Sequence, residues 1–378
     1  MSSLVLDLRS TEDTRDVIHR AVQALAEGRI VAFPTETVYV LAASGLHDAA
    51  VARLAQLTSA TENSSLVPRL GLAVKSADDA VDYVPNLCSL GQRLARRCWP
   101  GPVSLLVEDH HPDSLLQQLA PAVREVVAPA ANVGLRAPAH SALQDVLRLL
   151  AGPVVITDSP RRAEGEAVTA QEVVERFGAD VPLVVDDGQT RFRQPSTVVH
   201  VHDNQYDVVR AGVFSEQALR RLSSMIVLFV CTGNTCRSPM AEGIFRHLVS
   251  EKLRCKPDEV EDRGVRIVSA GLAAMMGGPA TREAVHVVGE WGVDLRNHES
   301  QPVTESLVRH ADLILAMTRS HRSALLAEWP DAAERVRMLC KDGGDVPDPV
   351  GGTIEVYRQS AAQIRSQLEA WINEINIP

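Results

Sequence analysis

Hydrophobic positions in the first half of the chain alternate between helical and extended spacing. Residues 14–27 carry apolar side chains at intervals of three and four before Gly28, which predicts an amphipathic helix with a glycine cap. An extended apolar run at 30–44 predicts a strand. Further helices are predicted near 48–57, 88–97, 140–150 and 169–176, and strands near 69–74, 103–107, 153–157 and 196–201. This uneven alternation predicts a twisted mixed α/β sheet.

A second pattern begins at Met225, after a short helical segment at 214–224. The continuous apolar run 225–231 predicts a strand buried on both faces, which is typical of parallel sheets. A helical pattern follows from Pro239 to about Leu253. Later strands are predicted at 265–270, 313–317 and 336–339, and helices near 279–292, 303–310, 320–328 and 353–374. This series predicts a doubly wound parallel-sheet domain.

The two patterns divide the 378 residues into a domain at 1–214, a linker at 215–224 and a domain at 225–378. The net charge is −10, from 38 basic and 48 acidic residues, which excludes a bulk basic field for wrapping nucleic acid but leaves room for a local patch. No apolar run approaches the roughly 20 residues of a membrane span. The acidic start of the chain does not resemble a signal peptide, so we expect a cytoplasmic protein without a membrane partner.

The six cysteines do not form a disulfide framework in a chain of this length and expected location. Their spacing shows no zinc-binding pattern, and we therefore expect no metal. Two of them, Cys231 and Cys236, lie in one loop.

That loop reads CTGNTCRSP at residues 231–239 and joins the buried strand to a helix N-terminus. Free backbone N–H groups and the helix dipole favour an anion at such a terminus. A phosphate placed there would meet the loop amides and Arg237, whose fork suits phosphoryl oxygens. The same field stabilises a thiolate at Cys231, which makes this cysteine a candidate nucleophile.

Three neighbouring residues suit the same chemistry. Gly233 permits a sharp turn, Asn234 tolerates left-handed backbone geometry, and Ser238 can hydrogen-bond the sulfur when it becomes a leaving group. The alternative interpretation is a buried cysteine followed by an incidental arginine. The strand–loop–helix context favours the functional interpretation.

Residues 225–378 resemble the low-molecular-weight protein-tyrosine-phosphatase family, through VCTGNTCRSPMAE at the start and DVPDPVGG near the end. The resemblance implies a cysteine-dependent protein phosphatase that acts on a phosphoprotein through a phosphocysteine and needs no cofactor. It implies that Cys231 is the nucleophile, Arg237 the phosphate ligand and Asp348 the general acid. Taken without the family, Asp348 reads as a turn aspartate and His298 as a surface histidine. The residues implied to bind phosphate or support the loop are Thr232, Gly233, Asn234, Thr235, Cys236, Ser238, Ser269 and His298.

Two positions bear on the substrate. Thr235 stands where tyrosine-specific members tend to carry a larger aliphatic residue, and Val350 stands where they carry an aromatic wall. The sequences of these motifs are most similar to the bacterial protein-arginine-phosphatase branch. We therefore expect phosphoarginine as the preferred substrate and phosphotyrosine as the next. An arsenate reductase is a further alternative, but it would need resolving cysteines downstream, where only Cys340 lies.

The first half resembles the threonylcarbamoyl-AMP synthase (Sua5/YrdC/YciO-like) family over roughly residues 10–214, through FPTETVYVLAAS, CWPGPVSLLV, VGLRAPAHSALQDVL and QPSTVVHV. Active members combine ATP, L-threonine and bicarbonate for a tRNA modification. The resemblance implies a cleft lined by Thr35, Arg136, Ser196 and Arg210. It also implies tRNA, double-stranded RNA or a nucleotide as partner, and ATP-Mg as cofactor if this half is active.

Two departures from that family weaken the ATP site. The family's Lys-x-Arg-Pro segment is replaced at 57–61, with no cation before Arg69, and its Ser-Ala-Asn segment is replaced at 157–160 by a stretch containing Asp158. We therefore interpret the first domain as degenerate, a binding or regulatory module. A bifunctional enzyme with an active synthase is the alternative, and a pair of binding modules is a third. The oligomeric state stays open.

Overall fold

The computed structural model describes residues 3–58, 70–157, 165–375 and 377. The chain forms two compact units, Met1–Leu222 and Ser223–Pro378, each with its own sheet. The segment predicted as a linker contains a helix, Glu216–Ser223 (α8). Within the described ranges, no helix combines the length and apolar character that crossing a membrane requires.

In the first unit, the described residues form a ten-stranded mixed sheet ordered β1-β8-β2-β3-β7-β4-β6-β5-β9-β10. Parallel pairs such as β5 with β9 stand beside antiparallel pairs such as β5 with β6, so the predicted mixed sheet is confirmed. The strands β1 to β10 are Leu4–Asp7, Val31–Phe33, Val40–Ser44, Leu70–Ala73, Val103–Glu108, Asn132–Arg136, Val154–Thr157, Leu183–Asp186, Thr197–His202 and Gln205–Arg210.

Helices cover this sheet in two hydrophobic layers. One layer packs α1 and α6 around Leu25, Phe33 and Val146, and the other packs α2 to α5 and α7 around residues such as Leu54 and Leu94. The helices α1 to α7 are Thr14–Ala26, Asp48–Leu57, Ala77–Tyr83, Ser89–Cys98, Pro121–Val127, Ser141–Leu149 and Ala170–Phe177.

The single strand predicted at 30–44 is wrong, because the structure divides it into the antiparallel strands β2 and β3. Pro34 supplies no N–H for a ladder, and the Thr35 hydroxyl accepts hydrogen bonds from the backbone N–H groups of Thr37 and Val38 at 3.1 and 3.2 Å. These bonds turn the chain back on itself. The sequence analysis also missed the short strands β1, β6, β8 and β10 and the short helices α3 and α5.

The second unit is a four-stranded parallel sheet ordered β12-β11-β13-β14, which confirms the predicted doubly wound domain. Helices α9, α10 and α13 pack on one face, and α11 and α12 pack on the other. The strands β11 to β14 are Met225–Cys231, Val265–Gly271, Leu313–Ala316 and Val336–Met338, and the helices α9 to α13 are Arg237–Leu253, Arg282–Gly289, Glu305–His310, Arg319–Glu328 and Ile354–Ile372.

The strand order places a topological switch point at the carboxyl end of β11. The chain leaves β11 for β12 on one side and later returns to β13 on the other. Open α/β sheets bind ligands in the crevice at such a point. Cys231 is the last residue of β11 and therefore lies at this crevice.

An aromatic pair between β11 and α9 stabilises the second unit. The Phe229 and Phe245 rings meet edge to face, with centroids 5.6 Å apart, and both side chains are buried. We expect Phe245→Ala to lower the free energy of unfolding by about 3–5 kcal/mol, and Phe245→Leu to cost less, because the first leaves the larger cavity. Urea unfolding followed by tryptophan fluorescence measures this, and a loss below about 1 kcal/mol for Phe245→Ala would contradict it. Most of the fluorescence signal reports this unit, which holds Trp291, Trp329 and Trp371.

Candidate active site

Cys231 is buried at the end of β11, and polar groups surround its sulfur. The Ser238 hydroxyl lies 3.0 Å from Cys231 Sγ, and the backbone N–H of Asn234 donates to the same sulfur at 3.2 Å. Hydrogen bonds of this kind favour the charged form of an acceptor. The sulfur therefore lies within reach of hydrogen-bonding groups from the loop and from the start of α9.

The Asn234 side chain anchors the loop. Its Nδ2 donates to Ser238 Oγ and to Ser269 Oγ, both at 2.9 Å, and its Oδ1 accepts from the backbone N–H of Gln301 at 2.9 Å. Asn234 is fully buried and adopts the left-handed conformation that was predicted for it, with φ of 54°. The loop is thus shaped before any ligand arrives, which is the preorganisation that anion binding needs.

Further residues support Asn234 from outside the loop. Ser269 Oγ donates to Glu242 Oε2 at 2.7 Å, and His298 Nε2 donates to the Asn234 carbonyl at 2.8 Å. The structure thus brings Ser269 and His298 to the loop. Glu242 and Gln301 were missed by the sequence analysis, because their roles depend on contacts between separate elements.

The glycine required by close packing is Gly271 rather than Gly233. A Cβ at residue 271 would lie 2.5 Å from the Thr232 carbonyl oxygen and 2.9 Å from the Asn234 backbone nitrogen. A Cβ at residue 233 would meet only the Thr235 hydroxyl, at 3.7 Å. The absence of a side chain at the end of β12 therefore lets the loop lie against that strand.

Arg237 opens α9, two residues before the predicted helix start at Pro239, and it is almost fully buried. Its Nη2 forms an ion pair with Asp348 Oδ2 at 2.5 Å and lies 3.4 Å from Thr232 Oγ1, and its Nη1 donates to the Val346 carbonyl at 3.2 Å. The Asp348 side chain is 45% exposed. The structure therefore brings the loop cysteine, the arginine and the aspartate to one crevice.

His321 belongs to this site but was missed by the sequence analysis. Its Nε2 lies 2.8 Å from Thr232 Oγ1 and its Nδ1 lies 2.9 Å from Thr318 Oγ1. Burial, followed by the positive charge of Arg237, holds the pKa of His321 below its ordinary value of 6.5. His321 lies in the first turn of α12, the helix that follows β13. The order of the strands in the sheet, rather than a local sequence motif, brings this turn to the site.

The two remaining loop side chains face different surroundings. Cys236 is buried, with its Sγ 3.5 Å from both Thr281 Oγ1 and Tyr357 Oη. Burial, and then the hydrogen bond to Cys236, raise the pKa of Tyr357 to about 12. Thr235 is half-buried, with its hydroxyl 3.6 Å from Cys236 Sγ.

Cys340 lies in the hydrophobic core of the second unit. It is 1% exposed, and burial raises the pKa of its thiol. A buried thiol held in its neutral form is a poor nucleophile.

In the first unit, Thr35 and Arg136 come together through one hydroxyl. Thr37 Oγ1 lies 2.8 Å from both Thr35 Oγ1 and Arg136 Nη2, and Arg136 also pairs with Glu36 Oε1 at 2.7 Å. Arg136 is 2% exposed, and its Nη1 has no hydrogen-bond partner among the described residues. Arg136 and Ser104 are among the residues that line a small, mostly apolar cavity at the sheet.

Ser196 and Arg210 form a second pair in the same unit. Arg210 Nη2 donates to Ser196 Oγ at 3.0 Å, and Ser196 Oγ lies 2.9 Å from Ser104 Oγ. Ser104 therefore joins this pair to the cavity lined by Arg136. The departures predicted at 59–61, Arg69 and 158–160 lie outside the described residues.

Comparison with known proteins identifies each half. The family described as low molecular weight phosphotyrosine protein phosphatase matches residues 226–377, and the Sua5, YciO and YrdC family, described as telomere recombination, matches residues 23–212. A protein-arginine-phosphatase from Bacillus subtilis (strain 168) is 39% identical over 155 residues, covering 40% of this chain and 94% of that protein. A probable low molecular weight protein-tyrosine-phosphatase, EpsP, from Ralstonia solanacearum is 33% identical over 150 residues, covering 39% and 94%.

A threonylcarbamoyl-AMP synthase from Pyrococcus abyssi (strain GE5 / Orsay) is 27% identical over 195 residues. That match covers 52% of this chain and 54% of the synthase, so the chain spans about half the length of this relative.

Fold, site and comparisons define the second unit as a phosphatase, a hydrolase. The chain belongs to the low-molecular-weight phosphotyrosine protein phosphatase family through its second half and to the Sua5, YciO and YrdC family through its first.

The lowered pKa of His321 makes stability depend on pH. The unfolded chain binds a proton near pH 6.5, whereas the folded site resists it, so stability is fully present above about pH 6.5 and falls as the pH drops toward the lower folded-state pKa. His321→Gln keeps a polar group beside Thr232 but cannot titrate. Urea unfolding of both proteins between about pH 5 and pH 8 should show a steeper acid loss in the unsubstituted chain. Equal losses would contradict the assignment.

Proposed function

We propose that the second unit hydrolyses phosphorylated protein side chains through a phosphocysteine intermediate. The observation that carries this proposal is the ion pair of the buried Arg237 with the half-exposed Asp348, set beside the loop that surrounds Cys231 Sγ with hydrogen-bonding groups. The site thus has a nucleophile, an anion ligand and a carboxyl group within one crevice.

In the first step, the Cys231 thiolate attacks phosphorus, and the bond from phosphorus to the leaving oxygen or nitrogen breaks. An incoming phosphoryl group displaces the Asp348 carboxylate from the Arg237 guanidinium, and the freed carboxylate takes up a proton from solvent, which it then delivers to the leaving group. Loop amides and Arg237 stabilise the charge on the equatorial oxygens.

In the second step, water attacks the phosphocysteine and the sulfur–phosphorus bond breaks. Asp348 accepts the proton of the water, and the Ser238 hydroxyl and the Asn234 N–H stabilise the sulfur as it leaves as a thiolate. Asp348 releases this proton to solvent and pairs with Arg237 again, so phosphate and the resting enzyme result. Because the chain supplies every group for both steps, the proposed reaction needs neither a metal nor an organic cofactor.

We propose phosphoarginine as the preferred substrate and phosphotyrosine as the next. Val350 is 65% exposed at the position where an aromatic side chain would stack on a phenyl ring. Thr235 is half-buried, and its hydroxyl can accept a hydrogen bond from a guanidinium N–H. The same side chain narrows the space available to a phenyl ring. The 39% identity to a protein-arginine-phosphatase supports the same preference. The buried Cys340 argues against an arsenate reductase, whose resolving thiols must reach the loop.

Removing the nucleophile and the acid separates binding from chemistry. We expect Cys231→Ser to abolish turnover while inorganic phosphate still binds, and Asp348→Asn to lower kcat by about 10²–10³-fold. The loss in Asp348→Asn should shrink with 4-nitrophenyl phosphate, whose leaving group needs no proton. Asp345→Asn is the matched control, since Asp345 lies in the same loop but bonds to the Arg319 backbone N–H. A fully active Cys231→Ser protein would overturn the mechanism.

The preference for phosphoarginine should depend on residue 235. We expect Thr235→Ile to shift the ratio of kcat/KM for phosphoarginine over phosphotyrosine peptides about 5–30-fold toward phosphotyrosine, because it removes a hydroxyl acceptor worth about 1–2 kcal/mol. Thr235→Ser keeps the hydroxyl and should keep the ratio. An unchanged ratio in Thr235→Ile would remove this residue from the specificity argument.

For the first unit, we propose a binding or regulatory role without synthase turnover. The buried Arg136, with Nη1 unpartnered among the described residues, supports retained binding of a small anion, whereas the missing Lys-x-Arg pair removes two charge-assisted contacts from a triphosphate. A nucleotide or tRNA remains the partner class that the family suggests. An active threonylcarbamoyl-AMP synthase is the alternative.

Pyrophosphate release distinguishes these two roles. Full-length chain is incubated with ATP-Mg, L-threonine and bicarbonate, beside a working synthase as positive control. We expect no threonine-dependent pyrophosphate, because the cations that would hold the triphosphate are absent from 57–61. Threonine-dependent release would establish a bifunctional enzyme instead.

A further inference from the structure

The hairpin of β9 and β10 brings two histidines and an aspartate onto one face. His200 and His202 lie two residues apart on β9, and the register places Asp207 of β10 opposite His200. Alternation along β9 sends Val199 and Val201 into the hydrophobic core, so the three polar residues share the opposite face. Their ligand atoms all lie within 4.8 Å of one another.

The contacts within this group match a set of metal donors better than a surface ion pair. His202 Nε2 lies 2.8 Å from Asp207 Oδ2, and the His200 and His202 rings have centroids 4.9 Å apart. The hydrogen bond between His202 and Asp207 involves two side chains. His200 adds a third possible metal ligand beside them. Among the described residues, this is the one group of three or more such donors with this spacing.

The turn holds the hairpin in a fixed register. Asp203 and Asn204 both have positive φ, 46° and 61°, as a two-residue type I′ turn requires. Asn204 Oδ1 accepts from Ser89 Oγ at 2.9 Å and from the Leu90 backbone N–H at 3.0 Å, at the start of α4. The backbone that carries the three donors is therefore preorganised, and only side-chain rotation remains for binding.

We propose that His200, His202 and Asp207 bind a divalent first-row transition-metal ion of the Zn²⁺ class. Two imidazoles and one carboxylate are characteristic ligands of such ions, whereas Mg²⁺ and Ca²⁺ prefer all-oxygen sites. Zinc at its usual bond lengths keeps tetrahedral ligand atoms about 3.3 Å apart, so these side chains, whose ligand atoms lie within 4.8 Å of one another, would need to close in on the ion. Asp207 is exposed, so the remaining coordination position faces solvent. The sequence expectation of no metal rested on the spacing of cysteines and histidines along the chain, which does not detect donors paired across strands.

Zinc binding by the full-length, chelator-treated chain tests this site. Competition with a chromophoric chelator measures affinity and stoichiometry in the unsubstituted chain, His200→Ala and Asp207→Asn. We expect saturable binding of one Zn²⁺ at this site and at least about tenfold weaker binding in either variant, since even outer-shell changes cost a metal site that much. Circular dichroism and thermal unfolding verify that the variants fold.

A matched control and a spectrum identify the donors. His286→Ala removes a histidine from a two-donor pair, in which His286 Nε2 lies 3.4 Å from Glu290 Oε1, and should leave affinity unchanged. Co²⁺ substitution should show d–d bands without the thiolate charge-transfer absorption that cysteine ligation produces. Absence of saturable binding at about 100 µM, equal affinity in both hairpin variants, or a thiolate spectrum that the variants leave unchanged would each overturn the proposal.

Discussion

The buried charge of Arg237 is the constraint on which the second unit depends. A guanidinium that is 4% exposed has lost most of its hydration, and an uncompensated charge of this kind is strongly destabilising. Asp348 and the Val346 carbonyl compensate it, so the loop that carries them must lie over the start of α9. His321 lies beside the same charge, and burial, followed by that charge, lowers the pKa of its imidazole. Under the proposed function, a phosphate would satisfy the same demand for negative charge.

The shape of the loop at residues 231–239 depends on a different set of interactions. The side-chain amide of Asn234 forms hydrogen bonds with Ser238, Ser269 and the Gln301 backbone. The missing Cβ at Gly271 lets β12 approach the loop. These are neutral, fully buried contacts, and they do not depend on a ligand. The loop is therefore rigid where it must present amides, whereas Asp348, the group assigned to proton transfer, is half exposed.

Local patterns predicted the parts of the structure that depend on consecutive residues. The apolar run ending at Cys231 and the glycine and asparagine after it indicated the strand and the loop that follows it. The sequence analysis did not identify Gly271 and His321. Each contacts the loop from another strand or helix, and only the order of the strands in the sheet brings it there. In the first unit, the run at 30–44 read as one strand because its hydrophobicity continues through the turn. Short strands such as Leu4–Asp7 carry too few residues for a period to emerge.

Under the proposed mechanism, binding and catalysis share one ion pair. The free site neutralises Arg237 with Asp348, so a substrate must displace this carboxylate before the arginine can hold its phosphoryl oxygens. Part of the binding energy is then used to break the pair, and the freed carboxylate, once it has taken up a proton, can deliver that proton to the leaving group. The guanidine that leaves from phosphoarginine gains most from this coupling, since it departs as a strong base. Substrate preference would then follow from how the site handles its own buried charge as well as from the shape of its walls.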